Sequence, residues 1–121
     1  MTIKEVSELY NISADTLRYY ERIGLLPPVP RKSGGIRDFD KTSCQWIEFI
    51  KCMRSAGVQI EPLIEYIKLF DQEGTDQARR DILIEQRDRL QKQMQALQTT
   101  IDRLTYKIHH YDTLLLNAKK P

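Results

Sequence analysis

Between Gly74 and Pro121 the chain contains neither glycine nor proline, and this uninterrupted stretch limits the fold more than any other feature. Residues of this kind continue a helix, and Thr75 stands where an N-cap is expected. Heptads are legible within it. With position a at Met94, Ile101, Ile108 and Leu115, position d falls on Leu83, Leu90, Leu97, Leu104 and Tyr111. An apolar seam at that repeat over three heptads predicts a coiled coil across residues 75–117. At about 1.5 Å per residue the helix would be some 60 Å long, more than a small domain can cover. The seam therefore needs a partner strand, and a second copy of the chain is the expected one. Gln86, Gln91, Gln93 and Gln98 on its flanks carry no charge, so flanking charges leave the strand direction open.

Residues 1–72 read differently. Thr2 to Glu5 spell T-I-K-E, a capping box that opens a short helix from Ile3 to about Tyr10, with Ile3, Val6 and Leu9 as its apolar stripe. Ser13 is a second N-cap, and the helix it starts runs through Leu17 and ends at Gly24. Two short helices joined by three or four residues predict a helix-turn-helix. Pro27, Pro28 and Pro30 forbid further helix, and Ser33-Gly34-Gly35 marks a turn around which Val29–Arg31 and Ile36–Phe39 are expected to pair as a two-stranded wing. Asp40 caps a third helix with Trp46, Phe49, Ile50 and Met53 as its buried face, closed by Gly57. A fourth helix from about Ile60 to Phe70 accepts Pro62 in its first turn. The expected fold is thus mainly α, a winged helix-turn-helix with linker helices followed by a long dimerisation helix.

Net charge is only +2, so the distribution of charge decides what it means. Residues 16–37 hold Arg18, Arg22, Arg31, Lys32 and Arg37 against Glu21 alone, a local excess of +4. A concentrated basic patch on a near-neutral chain suits contact with phosphates at one surface. In a helix-turn-helix the second helix enters the major groove, so Thr16, Arg18, Tyr19 and Arg22 are placed to face DNA, while Leu17 faces inward. Arg37 on the wing is placed to meet a phosphate farther along the duplex. Charged residues throughout the first 22 positions leave no signal-peptide core, no apolar run approaches the roughly 20 residues a membrane helix needs, and a cytoplasmic protein with reduced cysteines is expected. No glycine-rich phosphate loop, metal-ligand cluster or Ser/His/Asp arrangement is present, so neither enzymatic activity, a cofactor nor a bound metal is expected. The remaining alternative, a coiled-coil interaction protein, leaves the arginines and the wing without a purpose.

T-I-K-E-V, then S-A-D-T-L-R-Y-Y-E-R-I-G-L-L-P-P, then S-G-G-I-R-D-F resemble the MerR family of bacterial transcription regulators, and the resemblance extends along the whole chain. It implies an antiparallel coiled-coil homodimer that binds double-stranded promoter DNA at an inverted repeat with an overlong spacer. It also implies activation by bending and untwisting that spacer so that RNA polymerase engages both promoter elements, a deformation costing several kcal/mol that backbone contacts must offset. The DNA-binding set it suggests is Ala14, Asp15, Thr16, Arg18, Tyr19, Tyr20, Arg22, Arg37 and Phe39, the last standing where family members commonly carry tyrosine.

Only about five residues follow Leu116, so the signal is expected within the helices rather than in an effector domain beyond them. Cys44 and Cys52 lie eight residues apart on one helix, about 12 Å along its axis, too far to bridge each other. Position alone makes Cys44 the more exposed thiol and Cys52 a small residue at the edge of the core. The resemblance points the other way. F-I-K-C-M-R-S-A-G at residues 49–57 is similar to the aldehyde-responsive AdhR/NmlR-type subgroup, which implies Cys52 as the sensor of reactive aldehydes or other electrophiles. On that reading the Cys52 thiolate, favoured by Lys51 and Arg54, is alkylated or oxidised, and the third helix repacks against the dimerisation helix. An oxidative signal, or no small-molecule inducer, is the alternative.

Overall fold

A computed structural model describes residues 1–119 of the chain. Among the described residues five helices follow one another: α1 Ile3–Tyr10, α2 Ala14–Arg22, α3 Lys41–Ser55, α4 Ile60–Phe70 and α5 Asp76–Ala118. The chain divides into two compact units, residues 1–83 and residues 84–121.

In the first unit the helix starts follow the capping residues. The Thr2 hydroxyl accepts from the Glu5 amide at 3.1 Å while the Glu5 carboxylate accepts from the Thr2 amide at 2.9 Å, which completes the capping box of α1. Ser13 caps α2 through the Thr16 amide at 3.1 Å, and Asp40 caps α3 through the Ser43 amide at 2.8 Å. Between α1 and α2 the chain reverses at Asn11, whose φ of 55° is left-handed, a conformation asparagine tolerates better than most residues. Pro62 falls in the first turn of α4, where no intrahelical amide is required.

The core gathers Val6 from α1, Leu17 from α2, Leu25, Leu26, Val29 and Phe39 from the connecting segment, Ile47 and Ile50 from α3, and Leu63 and Ile67 from α4. Two apolar stripes differ from expectation. Leu9 is 61 % exposed, because α1 turns only Val6 fully inward. On α3 the inward residues are Ile47 and Ile50, whereas Trp46 and Phe49 join Tyr66 and Phe70 of α4 in an aromatic cluster with centroid spacings of 5.0–6.2 Å among the Trp46 pairs. The heptad-blind stripe through Trp46 and Met53 misses this because α3 packs on two neighbours at once, α1 and α4.

The wing is smaller than the sequence pattern predicts. Among the described residues no strand forms, and a single antiparallel bridge joins Arg31 to Arg37, flanked by the bonds Lys32 N to Ile36 O at 2.8 Å and Asp38 N to Pro30 O at 2.7 Å. Pro28 and Pro30 have no amide hydrogen to extend the ladder, and the Val29 amide is committed elsewhere. Gly34 and Gly35 turn the loop with φ of 93° and 82°. At the start of α5 the Thr75 hydroxyl does not cap as expected; it donates toward the carbonyls of Leu69 and Gln72 at 2.7 and 2.8 Å.

Among the described residues the second unit is the part of α5 that follows Leu83. The whole helix has 43 residues, about 65 Å at 1.5 Å per residue. Of the expected seam, Met94, Leu97, Ile101, Leu104, Ile108, Tyr111 and Leu115 are each at least half exposed in the single chain, Leu83 is 41 % exposed and Leu90 is half-buried. Among the described residues no helix is long and apolar enough to cross a membrane.

Replacing Ile47 by Ala deletes side-chain volume from a site only 2 % exposed and is expected to lower the unfolding free energy by about 2–5 kcal/mol in denaturant titration. Leu9→Ala should change it by less than about 0.5 kcal/mol.

Candidate nucleic-acid interface

Helix α2 presents the residues expected to meet DNA. Arg18, Tyr19 and Arg22 are exposed along one side, with Leu17 buried on the other. The Arg18 guanidinium bonds the Asp15 carboxylate at 2.9 Å, an exposed pair that contributes little stability but orients the arginine. Arg22 lies over the Tyr19 ring, 5.3 Å from its centroid, so aromatic and cation share a surface. Ala14, Thr16 and Tyr20 are half-buried, and the Thr16 hydroxyl accepts from Ser13 at 2.8 Å.

Phe39 does not belong to this surface. It is 2 % exposed, and its amide donates to the Met1 carbonyl at 2.8 Å, so its ring is core and the assignment to DNA contact is corrected. An aromatic ring without a hydroxyl is stabilised more by burial than by facing a phosphate. Arg37 is likewise drawn inward. Its Nε donates to Glu21 Oε1 at 2.7 Å, and its side chain is 24 % exposed.

Glu21 was legible in sequence only as the lone acid in a basic window, and its role is structural. One carboxylate oxygen accepts from the Val29 amide at 2.6 Å, the other from Arg37, and Arg31 lies 3.8 Å away. Recognition helix, proline segment and wing are thereby tied to one carboxylate. Burial on its own would raise the Glu21 carboxyl, but the Val29 amide, the Arg37 hydrogen bond and the charges of Arg37 and Arg31 outweigh it, and the group is held below its ordinary value of 4.5. Of the five cations between residues 16 and 37, Arg31 and Arg37 thus lean on Glu21. Arg37 is half-buried, while Arg18, Arg22, Arg31 and Lys32 are exposed, Arg18 beside Asp15 and Arg31 3.8 Å from Glu21. Ile36, 66 % exposed at the wing, is a surface residue the sequence pattern assigned to a strand.

The cysteines reverse their expected exposures. Cys52 is exposed and Cys44 is half-buried, and both thiols are free. Cys44 lies against Tyr10, whose hydroxyl donates to Glu48 at 3.0 Å; burial, then the Glu48 and Cys44 hydrogen bonds, push the phenol up to about 12. The two cations expected beside Cys52 serve other groups: Lys51 donates to the Tyr10 carbonyl at 2.5 Å, and Arg54 to the Val58 carbonyl. Among the described residues no group of three or more His, Cys, Asp or Glu side chains is arranged to hold a metal ion.

Because the folded-state carboxyl of Glu21 is depressed, its contribution is fully present above the ordinary value of 4.5 and is lost as pH falls through the folded-state value. Glu21→Gln should therefore destabilise the protein by about 1.5–3 kcal/mol at neutral pH. The difference from wild type should shrink as the pH is lowered from 4.5 through the folded-state value; a constant difference would show that charge is not what Glu21 supplies.

Residues 2–39 match the family described as MerR family regulatory protein, and residues 44–106 match the description MerR, DNA binding. The HTH-type transcriptional regulator AdhR of Bacillus subtilis is 55 % identical over 91 residues, covering 74 % of this chain; the matched stretch spans 65 % of AdhR, just under two thirds of its length. A MerR family transcriptional regulator from Listeria monocytogenes superposes with a TM-score of 0.93 at 47 % identity, covering 98 % of this chain and 91 % of that one. HiNmlR, a MerR family regulator lacking the sensor domain and bound to promoter DNA, superposes with a TM-score of 0.81 at 28 % identity over 93 % of this chain and 90 % of its own. With the motifs, the fold and both matched regions in agreement, the chain belongs to the MerR family of transcriptional regulators.

Proposed function

We propose that the protein is a homodimeric regulator that binds an inverted-repeat promoter with an overlong spacer and activates transcription by distorting it when Cys52 reacts with an aldehyde or another electrophile. The observation that carries the reading is the exposed row of Arg18, Tyr19 and Arg22 on α2, braced through Glu21 against the wing. Arginines along the exposed face of a recognition helix read guanine edges and phosphates, and a tyrosine between them supplies a rigid amphipathic contact. Ala14, Asp15, Thr16 and Tyr20 shape the approach of the helix, and Arg37 contributes to the phosphate field while holding the wing. RNA polymerase is the machinery that the distorted spacer admits.

Dimerisation is supported by the bare seam of α5. Seven apolar side chains at heptad spacing, all at least half exposed, lose that exposure when a second copy of α5 packs against them. The antiparallel direction rests on family membership rather than on the uncharged flanks. That the spacer is bent and untwisted rests on the same ground, and deformation energy of this size is supplied by phosphate contacts from both protomers.

The sensing role of Cys52 is supported by its accessibility. A solvent-facing thiol on α3 reaches an electrophile without opening the core, whereas Cys44 is shielded beside Tyr10. The thiolate sulfur adds to the aldehyde carbon, the carbonyl π pair passes to oxygen, and water protonates that oxygen to give a hemithioacetal. Similarity to AdhR, 55 % identical over the matched region that includes α3, is consistent with such a signal.

Arg18→Ala should weaken binding to the promoter by about 1–3 kcal/mol and relax base preference at one position of each half-site, measured by gel shift at fixed salt. For the signal, promoter transcription in vitro with and without an aldehyde should lose induction in Cys52→Ala and retain it in Cys44→Ala. Induction surviving in Cys52→Ala but lost in Cys44→Ala would overturn the assignment. If thiol-modifying oxidants induce and aldehydes do not, the signal is oxidative.

A further inference from the structure

On the first unit, where the proline segment meets the start of α3 and the end of α4, lies a cavity of about 310 Å³. That size falls at the lower end of small-ligand sites, which span roughly 300–1,000 Å³. Its aromatic wall is a corner: the rings of Trp46 and Phe70 stand 5.0 Å apart at 87°. Pro27 and Pro28 add apolar surface, and Asp40 and Asp71 are its charged lining residues; no lysine or arginine lines it. The Ser43 amide, donating to Asp40 at 2.8 Å, holds that carboxyl below its ordinary value of 3.8 and hence ionised near neutrality.

This lining selects one kind of occupant. An anion would meet two carboxylates without a counter-charge, and a neutral apolar molecule would cover them unpaired. A metal ion needs a shell of oxygen or nitrogen donors that aromatic and proline surfaces do not provide. An organic cation fits both halves, since aromatic faces attract positive charge within about 6 Å and the carboxylates add a longer-range attraction. The Arg79 guanidinium, paired with Asp76, already lies 4.9 Å from the Phe70 centroid, so Trp46 and the two carboxylates carry most of the attraction for a further cation.

We propose that the cavity bounded by Pro27, Pro28, Asp40, Trp46, Phe70 and Asp71 binds a compact organic monocation of the quaternary-ammonium type. Methyl groups on such a nitrogen spread the charge over a surface that packs against prolines and rings, while a single positive charge suits the two carboxylates. The site shares no residue with the DNA-facing row of α2 and contains neither cysteine.

Trp46 is the single tryptophan of the chain, so its fluorescence reports the cavity directly. The full chain is titrated with choline and with 3,3-dimethyl-1-butanol, a neutral molecule of the same shape. Choline should give a saturable change, with the alcohol binding about tenfold more weakly or worse. Asp71→Asn and Phe70→Leu should each weaken the choline response by about tenfold, with circular dichroism verifying the fold of both. Asp71 is exposed, so its variant decides the matter even if Phe70→Leu fails to fold. No saturable response in wild type, equal binding of choline and the alcohol, or an unaltered response in Asp71→Asn would overturn the proposal.

Discussion

The carboxylate of Glu21 is the point on which the DNA-reading end of this molecule depends. A recognition helix and a wing read DNA together only if the angle between them is fixed, and here the wing lacks the means to fix itself. Two prolines and one committed amide leave it a single bridge, far short of the three or more strands that make a sheet self-supporting. Glu21 supplies what the ladder does not, by accepting from the Val29 backbone and from Arg37 while remaining on α2. The charge-assisted character of both bonds matters, because such bonds are shorter and stronger than those between neutral groups.

That arrangement changes how the basic window is understood. Five cations against one acid reads as a phosphate-binding surface of uniform purpose. In the folded chain the acid draws Arg37 half inward to hold the wing, while Arg18, Arg22, Arg31 and Lys32 stay exposed. Charge counting finds the basic residues but not that one of them, Arg37, is half-buried against Glu21.

The sequence made the helices legible because their ends carry chemistry of their own. Thr2, Ser13 and Asp40 each cap the helix they precede, and Pro62 sits in the one turn that accepts it. What it concealed were features set by packing among several elements. Trp46 against Ile47 is a difference of one residue in facing, decided by α1 and α4 together, which no single-helix periodicity contains. Phe39 was placed at the surface by the resemblance of the motif it closes, yet its ring belongs to the core beneath the wing. The relative exposure of Cys44 and Cys52 depended on where Tyr10 lies, more than thirty residues earlier in the chain.

The turn at the wing tip has a further consequence. Gly34 and Gly35 both carry φ values that L residues resist, yet a side chain at either position would meet nothing within 4 Å. The requirement there is one of handedness and not of room. A D-alanine introduced at either position by chemical synthesis would find its preferred backbone conformation already built, and would stiffen the unfolded chain as well. What the wing asks of these two positions is the mirror image of an ordinary residue, and glycine is the only genetically encoded residue that meets the demand without strain.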